Sequence, residues 1–500
     1  MAKHALLTLA AAAAAVAMQG PAQESLGGLA AGEAAPMVNS EGLQGVIRAE
    51  RLWARAEALY GFAKESEGEY GHPTRVIGSR GHLATMDYIE SELAALGGYY
   101  NVSRQTFGAV VGHVSSFQLT VDGRVANTTT AMGLSPPTPD RKPVSGRLVL
   151  VSGLGCQATD YPATTAGNVA LIKRGDCAFG IKSQLAGRAG AVAAVVYNNV
   201  PGDFQGSLTK PTEGQVATLG LGGSDGAELA NQLTRGRTIP ATVQVNATVG
   251  SVPTDNVLAQ TAGGDADNCV MLGGHSDSVA DGPGINDDGS GSLSVLEVAV
   301  QLARFRTANC VRFAWWSAEE EGLLGSDHYV AALSPDDRRR VRLFMDYDMM
   351  ASPNFAYQVY NATDDAAPPG SQALRDLYTE WYRRHGLNYT FVPFDGRSDY
   401  DAFIRAGIPA GGIATGAEKK KTPAEVAMFG GVAGEPYDAN YHQLGDDLQN
   451  LNMTAWETNT KLIAHSVATF AASFDGFPPP KPIQALRAPQ WNFHGKNLVM

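Results

Sequence analysis

The sequence predicts an α/β protein: a mixed, mainly parallel sheet covered by helices on both faces, with a small β-rich domain inserted into it. Two observations predict this. From residue 253 onward, short apolar runs ending in glycine-rich loops alternate with helix-periodic segments, as parallel strands joined by crossover helices do. Between about 125 and 250 the chain turns rich in Val, Ala, Gly and Thr, with strand-like runs such as Arg147-Leu-Val-Leu-Val and Ala193-Ala-Val-Val-Tyr. At 500 residues the chain exceeds one simple core and implies two to three domains.

Taken in order, residues 1–17 have a basic start at Lys3, an Ala/Leu run and Ala15-Val-Ala17, the pattern of a secretory signal peptide. The run is too short to span a bilayer comfortably. Residues 18–40 read as a linker or pro-segment. The first part of the main domain covers 41–124. Within it, 43–66 and 82–96 have helical apolar spacing, polar and Gly residues at 67–81 separate them, and short strands follow near 105–109 and 116–121. The insert occupies 125–250 and contains no histidine. The second part of the main domain, 251–476, holds strands at 269–274, 311–316, 341–347 and 408–414. Its helices are expected at 292–305, 322–333, 371–385 and 452–474. A Pro-rich tail, 477–500, carries no motif.

Bulk properties narrow the function. The net charge of −12 argues against nucleic-acid or anionic-membrane partners, which need a basic face. Six N-x-S/T sequons, at Asn101, Asn127, Asn246, Asn361, Asn388 and Asn452, are candidate glycosylation sites that agree with export. The four cysteines show no CxxC metal spacing. Three connectivities are possible for four cysteines; Cys269 and Cys310 each open a predicted strand, so adjacent parallel strands would bring them together, and Cys156 would pair with Cys177. A secreted protein is expected, with a vacuolar lumen as the alternative.

The chemistry lies in four segments at predicted strand ends, the edge where open α/β sheets place their sites. They are His275-Ser-Asp277 with Asn286-Asp287-Asp288-Gly289, Ser317-Ala-Glu319-Glu320, Asp346-Tyr-Asp348, and Tyr441-His442 beyond the strand at 408–414. Two His and several carboxylates without Cys suit zinc or a similar divalent ion. Five candidates divide between two ions: His275 and Asp348 on one, Glu320 and His442 on the other, Asp287 bridging. Glu319 remains as proton shuttle. Asp277, two residues from His275 on the same strand face, would orient the imidazole. Each motif alone has an ordinary structural explanation, as a Gly-rich loop, an acidic helix start or a turn. Their recurrence at successive strand ends does not.

These motifs resemble the M28 family of co-catalytic zinc aminopeptidases, in particular its fungal leucine aminopeptidase or aminopeptidase Y type. The resemblance rests on GGHSDSVADGPGINDDGSGS, RFAWWSAEEEGLLGS, DYDMMASPN, DGRSDYDAF with GIPAGGIATGAE, and NYHQLGDDLQNL. It implies the zinc exopeptidase fold, two Zn2+ per chain with the ligands and base named above, and peptide substrates with a free N-terminus. It further implies that the α-amine lies near Glu319, Asp348 and the backbone carbonyl of Arg397, and that Tyr441 hydrogen-bonds the oxyanion. Relatives also imply a cis peptide after the bridging Asp, which agrees with the tight approach of Asp287 to the following helix. The insert resembles the protease-associated (PA) domain through KRGDCAFGIKSQLAGRAGAVAAVVYNN and is expected to shape access rather than perform chemistry. The chain departs from the pattern at Asn440 and Gly445, where related chains often carry cysteines, and at Ala414, where some carry an aromatic residue.

The expected activity is hydrolysis of apolar N-terminal residues from peptides by a monomer. The alternative is another dizinc exopeptidase or amidohydrolase, carboxypeptidase-like or a deacylase. A receptor-like protein with a decayed site would have lost ligands, and here all five are present with the base.

Overall fold

The computed structural model describes residues 35–363, 367–479, 493–494 and 497–500. The expected signal peptide, residues 18–34 of the linker and most of the tail lie outside the described residues. Eight strands build the main sheet: β1 (Tyr100–Val121), β2 (Pro240–Thr261), β3 (Asp265–His275), β4 (Asn309–Trp316), β5 (Val341–Tyr347), β6 (Gln358–Tyr360), β7 (Thr390–Val392) and β8 (Ala410–Ala414). Their spatial order is β1-β2-β4-β3-β5-β8-β6-β7. The four central strands β4, β3, β5 and β8 are parallel, and antiparallel pairing returns towards both edges.

Alternation within the central strands divides the core into two layers, because successive side chains point to opposite faces. Val270, Leu272, Phe313 and Trp315 face one layer with α1 (Ala49–Lys64), α2 (Arg80–Ala94), α3 (Gly289–Leu302), α5 (Ser371–Arg384) and α7 (Met453–Ala472). Met271, Ala314, Trp316 and Phe344 face the other with α4 (Leu324–Ala332) and α6 (Tyr400–Arg405), where Phe344 and Phe403 stack at 3.9 Å. Both faces are therefore covered, which is why these strands read as unbroken apolar runs. Nearly every residue of α3 is buried, as expected of a helix apolar all round. Among the described residues no helix is long and apolar enough to cross a membrane.

The structure differs from expectation at the first helix and at the ribbon. The 43–66 segment splits into a short helix at Ser40–Gln44 and α1, separated by an extended Arg48. The two short strands expected near 105–109 and 116–121 are one strand, β1, paired with β2 along its length with a single irregularity between Val114 and Ser116. The same ribbon serves both units. Its 100–111 and 250–261 halves edge the main sheet, while residues 240–243 pair with the insert strand Val144–Leu150. From there the insert continues through parallel strands Val169–Lys173, Ala193–Tyr197 and Thr218–Leu221 around its own apolar core. Leu498 adds a parallel bridge to the insert at Gly206.

Both expected disulfides form. Cys269 and Cys310 sit opposite each other in the β3/β4 register with Cα atoms 4.5 Å apart, and Cys156–Cys177 spans 5.9 Å within the insert. Of the sequons, Asn101, Asn127 and Asn388 are exposed and Asn246, Asn361 and Asn452 half-buried; the Asn452 side chain caps α7 by accepting the Ala455 N–H.

One core histidine makes the fold sensitive to acid. His82, fully buried on α2, lies 3.0 Å from Ser276 Oγ, and burial lowers its pKa from 6.5 to about 4. Between those values the unfolded chain binds a proton that the folded chain refuses. Stability is therefore lost as pH falls from 6.5 towards 4, by about 1.4 kcal/mol per pH unit for this group. Unfolding free energies from urea titration should fall more between pH 7 and 5 in the native chain than in His82→Gln, by roughly 2 kcal/mol. Equal losses in the two chains would contradict this.

Candidate metal centre

The site is assembled around the loop Asn286–Asp288, between β3 and α3. Asp288 caps α3 by accepting the Gly291 N–H at 2.9 Å, and the same carboxylate accepts His275 N–H at 3.0 Å and Met349 N–H at 3.1 Å. It thus ties together the end of β3, the start of α3 and the end of β5. A Cβ at Gly274 or Gly291 would collide with that carboxylate, which accounts for glycine at both positions. Asn286 accepts the Ala351 N–H at 3.0 Å and donates to Asp438 at 2.7 Å. Asp446 accepts the N–H groups of Asn286 and Asp287 at 2.9 and 3.0 Å. The peptide between Asp287 and Asp288 is cis, as expected.

With its backbone so held, the Asp287 carboxylate lies between two histidines. Its Oδ1 is 3.3 Å from His275 Nε2 and its Oδ2 3.0 Å from His442 Nε2. The structure gathers His275, Asp287 and Asp348 into one group, and Asp287, Glu320 and His442 into a second. Within each group the possible ligand atoms all lie within 4.8 Å of one another. Asp287 belongs to both. Glu319 is in neither, and its carboxylate is 3.9 Å from His275 Nε2. Asp277 faces His275 Nδ1 at 3.7 Å, beyond hydrogen-bond length, and receives the N–H groups of Glu319 and Glu320 at 3.3 and 3.4 Å. Its direct contact is therefore with the Glu319-Glu320 backbone.

The donor set fits divalent cations. His275 Nε2, Asp287 Oδ2, Glu320 Oε1 and Asp348 Oδ1 are buried without a hydrogen-bond partner, although buried polar atoms are normally paired. Charge points the same way. Burial pushes up the carboxyl pKa values of Asp288, Glu319 and Glu320, and neighbouring carboxylates add to the rise. Burial opposes charging the His275 imidazole, yet Glu319, Asp277, Asp287 and Asp348 together raise its pKa well above the usual range. The cluster is short of positive charge.

Side chains outside the two candidate ligand groups hold the rest. Arg75, fully buried, donates to the carbonyls of Pro283, Ser276 and Gly284 and so fixes the loop after His275. Tyr400 Oη accepts the N–H groups of Asp395 and Gly396 at 2.9 and 2.8 Å, shaping the loop that presents Arg397. Ser398 Oγ donates to Asp348 Oδ2 at 3.0 Å. Arg397 Nη1 donates to Glu418 at 2.8 Å and Nη2 to Tyr441 Oη at 3.2 Å, while the Tyr441 ring stacks on His442 at 3.7 Å. Asn440 and Gly445 are adjacent, as a disulfide there would require, and Asn440 instead donates to Asn450 at 2.8 Å. Asp287, Glu319, Glu320 and Asp348 open onto a cleft of about 120 Å³ whose lining also includes Met349, Tyr360, Val392 and Ala414 along with the charged Asp395, Arg397 and Glu418.

Known proteins share this arrangement of sequence and fold. Peptidase family M28 matches residues 256–467 and the PA domain matches 144–229. Aminopeptidase Y of Saccharomyces cerevisiae is 48% identical over 453 residues, 89% of this chain and 82% of that protein. Leucine aminopeptidase 2 of Trichophyton equinum is 44% identical over 449 residues, 89% and 88% of the two chains. Among solved structures, the aminopeptidase from Aneurinibacillus sp. strain AM-1 superposes with a TM-score of 0.71 at 26% identity, covering 90% of this chain and 99% of that one. A zinc aminopeptidase from Bacillus subtilis shares the fold with a TM-score of 0.58 at 24% identity, over 86% and 98%. With 48% identity to a relative matched along most of both lengths, the chain belongs to peptidase family M28 and carries a PA domain.

Proposed function

We propose that the chain is a secreted aminopeptidase with two zinc ions, removing apolar N-terminal residues from peptides. The observation that carries this reading is the sharing of Asp287 between two three-residue candidate ligand groups whose carboxylates open onto one cleft. In this reading His275 and Asp348 hold one ion, Glu320 and His442 the other, and Asp287 bridges them. Two His and three carboxylates without Cys are the donor chemistry that zinc takes. When bound, the two ions would polarise the scissile carbonyl and lower the pKa of water.

The remaining steps belong to the chain's own groups. Glu319, buried at the cleft with its carboxyl pKa raised by burial, takes the proton from the attacking water and returns it to the departing amine. The Tyr441 hydroxyl donates to the oxyanion as the carbonyl becomes tetrahedral. The Arg397 carbonyl, with Glu319 and Asp348, accepts from the substrate's α-amine, which selects for a free N-terminus. Met349, Tyr360, Val392 and Ala414 support an apolar first residue. The two disulfides, the sequons and residues 1–17 support an oxidising destination outside the cytosol.

Metal analysis of the purified mature chain should give two zinc ions per active molecule; one would overturn the bridging role of Asp287. In Glu319→Gln the metal content should be normal and kcat about 10²- to 10⁴-fold lower, whereas Glu320→Gln should lose metal. Near-normal kcat in Glu319→Gln would place the base elsewhere. Leucyl-anilide should be hydrolysed and its N-acetylated form left intact. Cleavage of the acetylated substrate, or release of C-terminal residues instead, would favour the deacylase or carboxypeptidase alternative.

A further inference from the structure

We propose that the Arg397 side chain, held by Glu418, is a positioning group for the Tyr441 hydroxyl, separate from the part its backbone carbonyl plays. The inference rests on the reading of Tyr441 as the oxyanion donor. Three loops meet at this point: Asp395–Ser398 before α6, residues 415–418 after β8, and the loop carrying Tyr441-His442. The guanidinium joins all three, with Nη1 on Glu418 Oε1 at 2.8 Å, and Nη2 shared between Glu418 Oε2 at 3.4 Å and Tyr441 Oη at 3.2 Å.

The direction of the last bond decides what it does. A guanidinium has donors only, so in this bond the Tyr441 oxygen is the acceptor. A phenolic hydrogen prefers the plane of its ring and has two in-plane positions. Stacking on His442 sets that plane, and the Arg397 donor occupies one side of the oxygen. The O–H is therefore left for the other side, available to a substrate in the cleft that Arg397, Tyr441 and His442 line together. A hydroxyl that accepts a charge-assisted hydrogen bond is also polarised into a better donor.

Glu418 has the supporting part. Its side chain is 49% exposed, and an exposed ion pair contributes little to stability by itself. What it supplies is geometry: two carboxylate oxygens hold a planar fork whose Nη2 also reaches Tyr441. Lysine at 397 could keep the charge but not reach both partners in a fixed plane.

A double-mutant cycle in the zinc-loaded full chain tests this, with kcat and KM measured on leucyl-anilide. Arg397→Met should lower kcat about 10- to 100-fold with KM within about twofold, since the backbone carbonyl at 397 stays. In the Tyr441→Phe background the same exchange should change kcat by less than about twofold. Glu418→Gln should repeat the pattern with a smaller loss. An equal loss from Arg397→Met in both backgrounds would overturn the positioning role while leaving Tyr441 as oxyanion donor. A native kcat in Tyr441→Phe would instead overturn the oxyanion reading, and the positioning role with it. Should Arg397→Met fail to fold or to hold zinc, Glu418→Gln against Tyr441→Phe decides by the same criterion.

Discussion

One carboxylate governs where the candidate metal ligands stand. Asp288 accepts N–H groups from His275, Gly291 and Met349, so the ends of two central strands and the start of the buried helix between them converge on two oxygen atoms. His275 and Asp348 are next to those amides, and Asp287 is joined to Asp288 directly. Their spacing is set by backbone hydrogen bonds before any ion arrives. Asp288 is itself fully buried, which pushes its carboxyl pKa up, and the N–H groups it accepts offset part of that burial cost. The glycines at 274 and 291 follow from the same convergence, since the Asp288 carboxylate and the Tyr347 carbonyl fill the space their side chains would need.

Outward from Asp288 the support is almost wholly polar and long-range. Arg75 reaches three carbonyls of the loop after His275, Asp446 takes two consecutive amides of the Asp287 loop, and Tyr400 gathers the loop that presents Arg397. Each of these groups is buried and satisfied, the condition under which a polar network rigidifies a site rather than weakening it. The candidate ligand atoms His275 Nε2, Glu320 Oε1 and Asp348 Oδ1, by contrast, have no hydrogen-bond partner. Precise surroundings with unpaired centres describe a site prepared for charge from outside the chain.

Most of the candidate ligands were legible in the sequence because they sit in short motifs close behind an apolar run, and strand ends in an open α/β sheet share one edge; His442, well beyond the run at 408–414, was legible only through its own Tyr441-His442 motif. The central strands were legible for a related reason: covered on both faces, they are continuous apolar stretches of fixed length. Arg75 was not legible, since it lies in a polar spacer whose partners are some two hundred residues away. Asp288 stood inside a quoted motif but read as a turn residue, because hydrogen bonds to three separate elements leave no local pattern. Strands β6 and β7, three residues each, are too short to show a period of two. The ribbon was split in two because polar and glycine residues interrupt its alternation, and only pairing with β2 reveals one strand.

That ribbon carries a practical consequence. The insert is not hung on linkers but is the far end of a hairpin whose near end is part of the peptidase sheet. Moving it means bending or twisting a two-stranded beam, and the irregularity between Val114 and Ser116 is where that beam is least regular. The beam also provides a clean place to cut. Val111 faces Gly250 in antiparallel register, so a two-residue Asn-Gly turn joining them would close the ribbon into an ordinary hairpin. The resulting chain would keep every residue of the candidate metal centre while dispensing with the insert, and β1 would remain the edge strand of the main sheet with no new edge exposed.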